Sequence, residues 1–153
     1  MTIEDAYEKL RKKYSLPAFK GVDRDFSVSA IENERFLLRE INANMMEKLE
    51  LVIALITELL QPDTNNVASI HEFRAFDEKE KKELYDFYCK LMTLHRKGVY
   101  VSISGEEKKE ADFLKELHSD WGQIKSKMKG IVSKMETSWK EEATYKTELG
   151  YLG

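Results

Sequence analysis

Apolar residues recur at steps of three and four through most of this chain, which is the spacing of one face of an α-helix. The pattern is most regular towards the C-terminus, where it predicts a helix over residues 105–140, about 50 Å long. Its apolar seam consists of Leu114, Leu117, Trp121, Ile124, Met128, Ile131 and Met135. A seam sustained over this length is typical of a helix that packs along other helices.

Two further long helices are predicted over residues 30–60 and 78–98. The stripe of the first is Ile31, Leu38, Met45, Leu49, Val52, Ile56 and Leu60. Because Leu37, Leu51 and Leu55 fall outside that stripe, we expect this helix to be the centre of the bundle or part of an oligomer interface. The stripe of the second is Leu84, Phe87, Tyr88, Leu91, Leu94 and His95.

The run Arg96-Lys97-Gly98 predicts the C-terminal end of the second of these helices. The residues that follow, 99–103, are rich in β-branched side chains, so we expect them to be extended.

Three pairs of residues have the spacing of a capping box, in which a Ser or Asp accepts a first-turn N–H and a Glu three positions later reaches back. The pairs are Ser29 with Glu32, Asp77 with Glu80, and Ser104 with Glu107. They predict that the three long helices begin near residues 30, 78 and 105.

Shorter elements fill the rest of the chain. Thr2 is expected to cap a short helix within residues 1–15, and residues 16–29 are expected to form an ordered connector held by its aromatic side chains. A short helix is predicted near residues 67–76, and residues 144–153 are expected to be a frayed tail. The predicted fold is therefore all-α, an antiparallel bundle of three long helices.

Composition narrows the class of protein. The 153 residues are enough for one helical domain, residues 1–153, and a content of 42% hydrophobic and 35% charged residues is not that of a disordered chain or a membrane protein. The net charge of -3 does not favour a general polyanion binder, so nucleic-acid binding would need a local basic patch. The single cysteine, Cys89, and the lack of a basic-then-apolar N-terminal region predict a cytoplasmic protein.

The chain carries no recognised catalytic motif. It lacks HExxH, a Walker A loop, GxGxxG and GxSxG, and no histidine follows a glutamate by three residues as a di-iron bundle requires. Cys89 and His95 lie six residues apart, which places them on different sides of one helix. We therefore predict a protein that is not an enzyme and that uses no cofactor, no metal ion and no small-molecule substrate.

The least expected feature is the side of the last helix that lies opposite its seam. Every residue along the middle of that side is small, and lysines flank it on both edges. Glycine in a helix interior costs about 1 kcal/mol relative to alanine, so two glycines there suggest that something approaches the backbone closely. The candidate face comprises Ser119, Gly122, Lys125, Ser126, Lys127, Lys129, Gly130, Ser133, Lys134 and Thr137.

Three explanations of this face remain open. A helix of a protein partner or of a second copy would fit the small residues, and the lysines would then select an acidic neighbour. A nucleic-acid backbone is the alternative. Alternatively, an antiparallel hairpin that turns around Ile103 would bring the lysines level with the acidic residues that begin the helix 78–98. The primary functional prediction is a helical interaction or assembly module without membrane attachment.

Overall fold

The computed structural model describes residues 1–148, with side chains up to residue 142. Within that range it contains six α-helices and one 3-10 turn, which confirms the all-α prediction. The α-helices are α1 (Ile3–Tyr14), α2 (Phe19–Phe26), α3 (Leu37–Leu60), α4 (Val67–Arg74), α5 (Glu78–Ser104) and α6 (Glu107–Glu148); the 3-10 turn is Val28–Ala30. None of the described helices combines the length and the apolar character needed to cross a membrane.

Helices α3, α5 and α6 pack against one another and enclose the core. Helix α3 is central, since it also contacts α2 and α4, as its wide apolar surface predicted. The predicted seam of α6 faces this core: Leu114, Leu117, Trp121 and Ile124 are buried, and Met128, Ile131 and Met135 are half-buried. Not every apolar residue of α3 is covered, since Leu51 is 68% exposed.

The capping predictions for α1 and α5 are confirmed. Thr2 accepts the N–H of Asp5 at the start of α1, and Asp77 accepts the N–H of Glu80 at the start of α5, with the reciprocal bonds also present. The short helix predicted near residues 67–76 is α4, and the side chain of Asn66 caps it.

The predicted start of the central helix at residue 30 is wrong. The backbone N–H of Ser29 donates to Asp23 Oδ1 at 2.7 Å, and the N–H of Arg35 donates to Asn33 Oδ1 at 2.9 Å. These local bonds satisfy the backbone outside a helix, so α3 begins only at Leu37 and has no side-chain cap.

The predicted end of the next helix at Gly98 is also wrong, as is the extended segment 99–103. Helix α5 continues to Ser104 and ends at Gly105, whose φ of 65° gives the left-handed turn into α6. Gly98 is instead a buried interior position, where an added Cβ would lie 2.2 Å from Met46 Sδ. The hydroxyl of Ser104 donates to the Tyr100 carbonyl within α5, so Ser104 does not begin α6.

The segment 16–29 contains a helix that the sequence analysis did not predict. Helix α2 presents Val22, Asp25 and Phe26 to the core, and the rings of Phe26 and Trp121 lie 5.2 Å apart. The side chain of Phe26 thus anchors this segment to α6, and the expectation that the segment contains no helix is wrong. The predicted frayed tail, 144–153, is helical to residue 148, and its last five residues lie outside the described part.

Candidate interaction surface

The small residues of the candidate face all lie on the exposed side of α6. Ser119, Gly122, Ser126, Gly130, Ser133 and Thr137 are each exposed to solvent. An added Cβ at Gly122 or Gly130 would find no atom within 4 Å, whereas one at Gly98 would collide with its neighbours. Packing among the described residues therefore explains the absence of a side chain at Gly98 but not at Gly122 or Gly130.

The flanking lysines have different partners. Lys125 Nζ lies 2.8 Å from Asp25 Oδ1, so this lysine joins α6 to α2. Burial acts most strongly on Asp25 and would raise its pKa, yet the hydrogen bonds from Lys125 and Arg24 together hold the pKa of that carboxyl below its ordinary value. Lys125 therefore stabilises the contact between α6 and α2, whereas the prediction placed it at the edge of the exposed face.

The other three lysines lie closer to α5 or to solvent. Lys134 pairs with Glu80 of the α5 capping box, as the hairpin explanation predicted. Lys127 Nζ lies 5.1 Å from the centre of the Phe87 ring, and Lys129 makes no ion pair with any described side chain. The hairpin explanation thus accounts for Lys134 alone, because Lys125 binds a carboxylate of α2.

A continuous groove runs along the outer side of the α5–α6 pair. It consists of three adjoining cavities that share lining residues, and we name it the α5–α6 groove. Its walls extend from Glu80 to Val101 on α5 and from Lys109 to Lys134 on α6, a length of about 35 Å at the rise of an α-helix. It is widest next to the α5–α6 turn, where its volume is about 830 Å³.

The wide end of the groove is its most apolar part. Met92, Val101 and Phe113 line it, together with Tyr100, which is 62% exposed. Ile103, one turn beyond Tyr100 on α5, is 82% exposed. Neighbouring apolar side chains with this exposure are typical of surfaces that other molecules cover.

At the opposite end the groove opens into a cleft between α4 and α6 of about 1170 Å³. Helix α4 is held against α6 by His71 and Trp139, whose ring centres are 4.0 Å apart, and by a hydrogen bond of 3.2 Å from Trp139 Nε1 to Glu72. Gly130 and Lys134 line both the groove and the cleft.

Half of the predicted face contributes to these two depressions. Lys127, Gly130 and Lys134 line the groove, and Ser133 and Thr137 line the cleft. The remaining small residues and Lys129 lie farther round the exposed side of α6. The α5 wall could not be predicted from the sequence, because it depends on how α5 pairs with α6 and because the predicted helix ended before Tyr100 and Ile103.

The residues considered for catalysis are not brought together. His95 Nε2 lies 3.2 Å from Glu50 Oε1 on α3, whereas Cys89 is exposed on the surface of α5. Among the described residues, no three His, Cys, Asp or Glu side chains are arranged to hold a metal ion.

One buried carboxylate remains, and it belongs to the core rather than to the groove. Glu110 is 6% exposed, and burial raises its pKa, although Arg39 lies 3.7 Å away.

Comparison of the chain with protein-family models, with curated proteins and with solved structures finds no match.

Proposed function

We propose that this protein is a non-enzymatic helical interaction module that binds a helix of a protein partner in the α5–α6 groove. The observation that carries the proposal is the uncovered groove itself. The opposite, α3–α6 side of the bundle is covered by α1 and α2, through contacts such as Tyr14 with Glu107 and Phe26 with Trp121. Among the described residues, no corresponding helix lies over the α5–α6 side.

The chemistry of the groove suits an amphipathic helix. Its floor contains apolar side chains such as Phe87, Leu91 and Ile124, and its rims are charged. An amphipathic helix binds such a groove by placing its apolar face on the floor and its polar face towards solvent. The missing side chain at Gly130 lowers the α6 wall, so a partner helix can approach α6 more closely there.

Photo-crosslinking from inside the groove tests this function. Thr93 and Gln123 are exposed and line the groove, so each is replaced in turn by a photoreactive amino acid in the native host. Glu58 is exposed on α3 and serves as the control position. We expect protein adducts from the two groove positions only. Equal adducts from all three positions, or none from the groove, would refute the proposal.

A matched pair of glycine variants sharpens the test. Gly122 and Gly130 are both exposed helix positions on α6 with nothing within 4 Å of an added Cβ, but only Gly130 lines the groove. Gly130→Leu should reduce the adducts, whereas Gly122→Leu should leave them unchanged.

The nucleic-acid alternative now rests on fewer charges, because Lys125 and Lys134 pair with carboxylates of the fold. It depends on Lys127 and Lys129, and it predicts binding that weakens steeply with salt. Nuclease treatment before crosslinking separates the two functions, since adducts that require nucleic acid would disappear.

A further inference from the structure

The charged side chains that line the α5–α6 groove are sorted by sign. In the half next to the α5–α6 turn, the α5 wall carries Lys90, Arg96 and Lys97. The α6 wall of the same half carries Asp112, Glu116 and Asp120. Lys109, which pairs with Glu106 at the end of the groove, is the exception. In this half a basic wall therefore faces an acidic wall, and Lys97 pairs with Glu116 across the groove at 2.5 Å within one chain.

The signs are reversed in the other half of the groove. There the α5 wall carries Glu80 and Glu83, and the α6 wall carries Lys127 and Lys134. The other charges of this half of α5, at Glu78, Lys79, Lys81, Lys82 and Asp86, lie outside the lining. The lining charges thus form a two-by-two checkerboard, in which the sign changes across the groove and again along it.

A checkerboard of this kind is complementary to a rotated copy of itself. A two-fold axis that runs along the groove places the basic part of one α5 over the acidic part of the partner's α6, at the same level. A two-fold axis that runs across the groove places the basic part of α5 over the acidic part of the partner's α5. In both arrangements each half-wall of one copy faces a half-wall of opposite charge on the other copy. The surface is therefore self-complementary, as an isologous interface requires. A partner of uniform charge would meet the wrong sign in half of the groove.

We propose that the occupant of the α5–α6 groove is a second copy of this chain, docked face to face about a two-fold axis. This inference rests on the proposed interaction function and names its partner. The dimer would bring α5 and α6 of both copies together as a four-helix bundle and would cover Tyr100, Val101 and Phe113.

The molar mass in solution is the first test. Sedimentation equilibrium over a concentration series should approach twice the 17.9 kDa of one chain. Lys97→Glu reduces the positive charge of the α5 wall in the half next to the α5–α6 turn, and it should weaken dimerisation by about tenfold or more. Lys20→Glu, which changes an equally exposed charge on α2, should not alter it. Circular dichroism is used to check that both variants remain folded, and Glu116→Lys provides an independent second variant.

Mixing two variants gives a test that does not depend on the stability of the monomer. A variant that fails to dimerise because it is destabilised would not recover when the other variant is added. Lys97→Glu and Glu116→Lys each place like charges together in a homodimer whose axis runs along the groove, but their mixture restores opposite charges. For an axis across the groove, the restoring mixture is Lys97→Glu with Glu83→Lys. A heterodimer as stable as the wild-type dimer in one of these mixtures supports the inference and identifies the axis.

Failure of this inference can be distinguished from failure of the proposed function. A chain that stays monomeric at every concentration, or variants whose dimers are unaffected and whose mixtures show no preference, would overturn the second copy as occupant. Groove-specific adducts to a different protein would in that case leave the interaction function standing. Absence of any groove-specific adduct, including one between two copies, would remove both.

Discussion

Gly98→Ala adds one methyl group at a point where α5 contacts side chains from both neighbouring long helices. The new Cβ would lie 2.2 Å from Met46 Sδ and 2.9 Å from Phe113 Cζ. Met46 is half-buried and can change rotamer, but the Phe113 ring is 2% exposed and is enclosed by the core. The backbone or the ring must therefore shift.

The expected cost follows from two opposing terms. Overpacking a core position costs about 1 to 3 kcal/mol, whereas replacing glycine by alanine inside a helix returns about 1 kcal/mol. Because two side chains must move at Gly98, we expect the upper part of the first range and a net loss of about 1 to 2 kcal/mol. At Gly130 the first term vanishes, so Gly130→Ala should gain about 0.5 to 1 kcal/mol.

Urea unfolding followed by circular dichroism measures both variants against the wild type. At constant m-value the two midpoints should move in opposite directions, and the free energies of unfolding should differ by about 1.5 to 3 kcal/mol. A Gly98→Ala protein as stable as Gly130→Ala would show that the helices are not in close contact at this position, and the assignment of Gly98 to interior packing would be wrong.

Three further predictions concern stability and pH. Lys125→Ala leaves the Asp25 carboxylate with Arg24 alone and should cost about 1 to 2 kcal/mol at pH 7, whereas Lys129→Ala should change stability by less than about 0.5 kcal/mol in the same urea titration. Because the folded protein lowers the pKa of Asp25, the stabilisation is present above the unfolded pKa and is lost as the pH falls through the folded one, so the two variants should converge in acid. Burial raises the pKa of Glu110, so its ionisation destabilises the fold as the pH rises through the range between its unfolded and folded pKa; Glu110→Gln should match or exceed wild-type stability at pH 7, and its relative advantage should shrink in acid melts. Leu117→Ala, at a fully buried site, should lower the free energy of unfolding by about 2 to 5 kcal/mol, and a smaller loss would contradict the seam of α6.

The parts of the fold that the sequence predicts well are those in which one periodic signal outweighs everything else. The seam of α6 repeats over six turns, and its first four members are buried. Asp77 and Glu80 form the predicted box because both side chains can turn back onto the backbone at the helix start, and the second carboxylate oxygen of Glu80 pairs with Lys134.

The errors arise where one residue type serves two structural purposes. A glycine after two basic residues is typical of a helix end, but a glycine is equally required where another helix comes close, and Gly98 serves the second purpose. The ends of α1 and α2 are left-handed at Ser15 and Ser27, with φ of 56° and 55°. Serine is uncommon in that conformation, so the sequence gives little sign that two short helices end there.

Only one wall of the candidate interaction surface has a clear signal in the sequence. The α6 wall was visible because Gly130 and its small neighbours interrupt the usual polar face of a helix. The charged residues of the α5 wall are ordinary lysines, arginine and glutamates. The hairpin explanation predicted the pairing of Lys134 with Glu80, but the pairing of Lys97 with Glu116 becomes apparent only in the structure. Pairing of two helices is a long-range property that the periodicity of each one does not contain.

The three glycines inside α5 and α6 separate the requirements of folding from those of binding. Gly98 is needed by the fold, since a side chain there collides with the core, whereas alanine at Gly122 or Gly130 should stabilise the monomer. If the groove binds a helix, a larger side chain is harmful at Gly130, which lines it, and harmless at Gly122, which does not. A bulky residue at Gly130 that preserves the fold and abolishes assembly would therefore attribute this glycine to binding, because no contact among the described residues accounts for it.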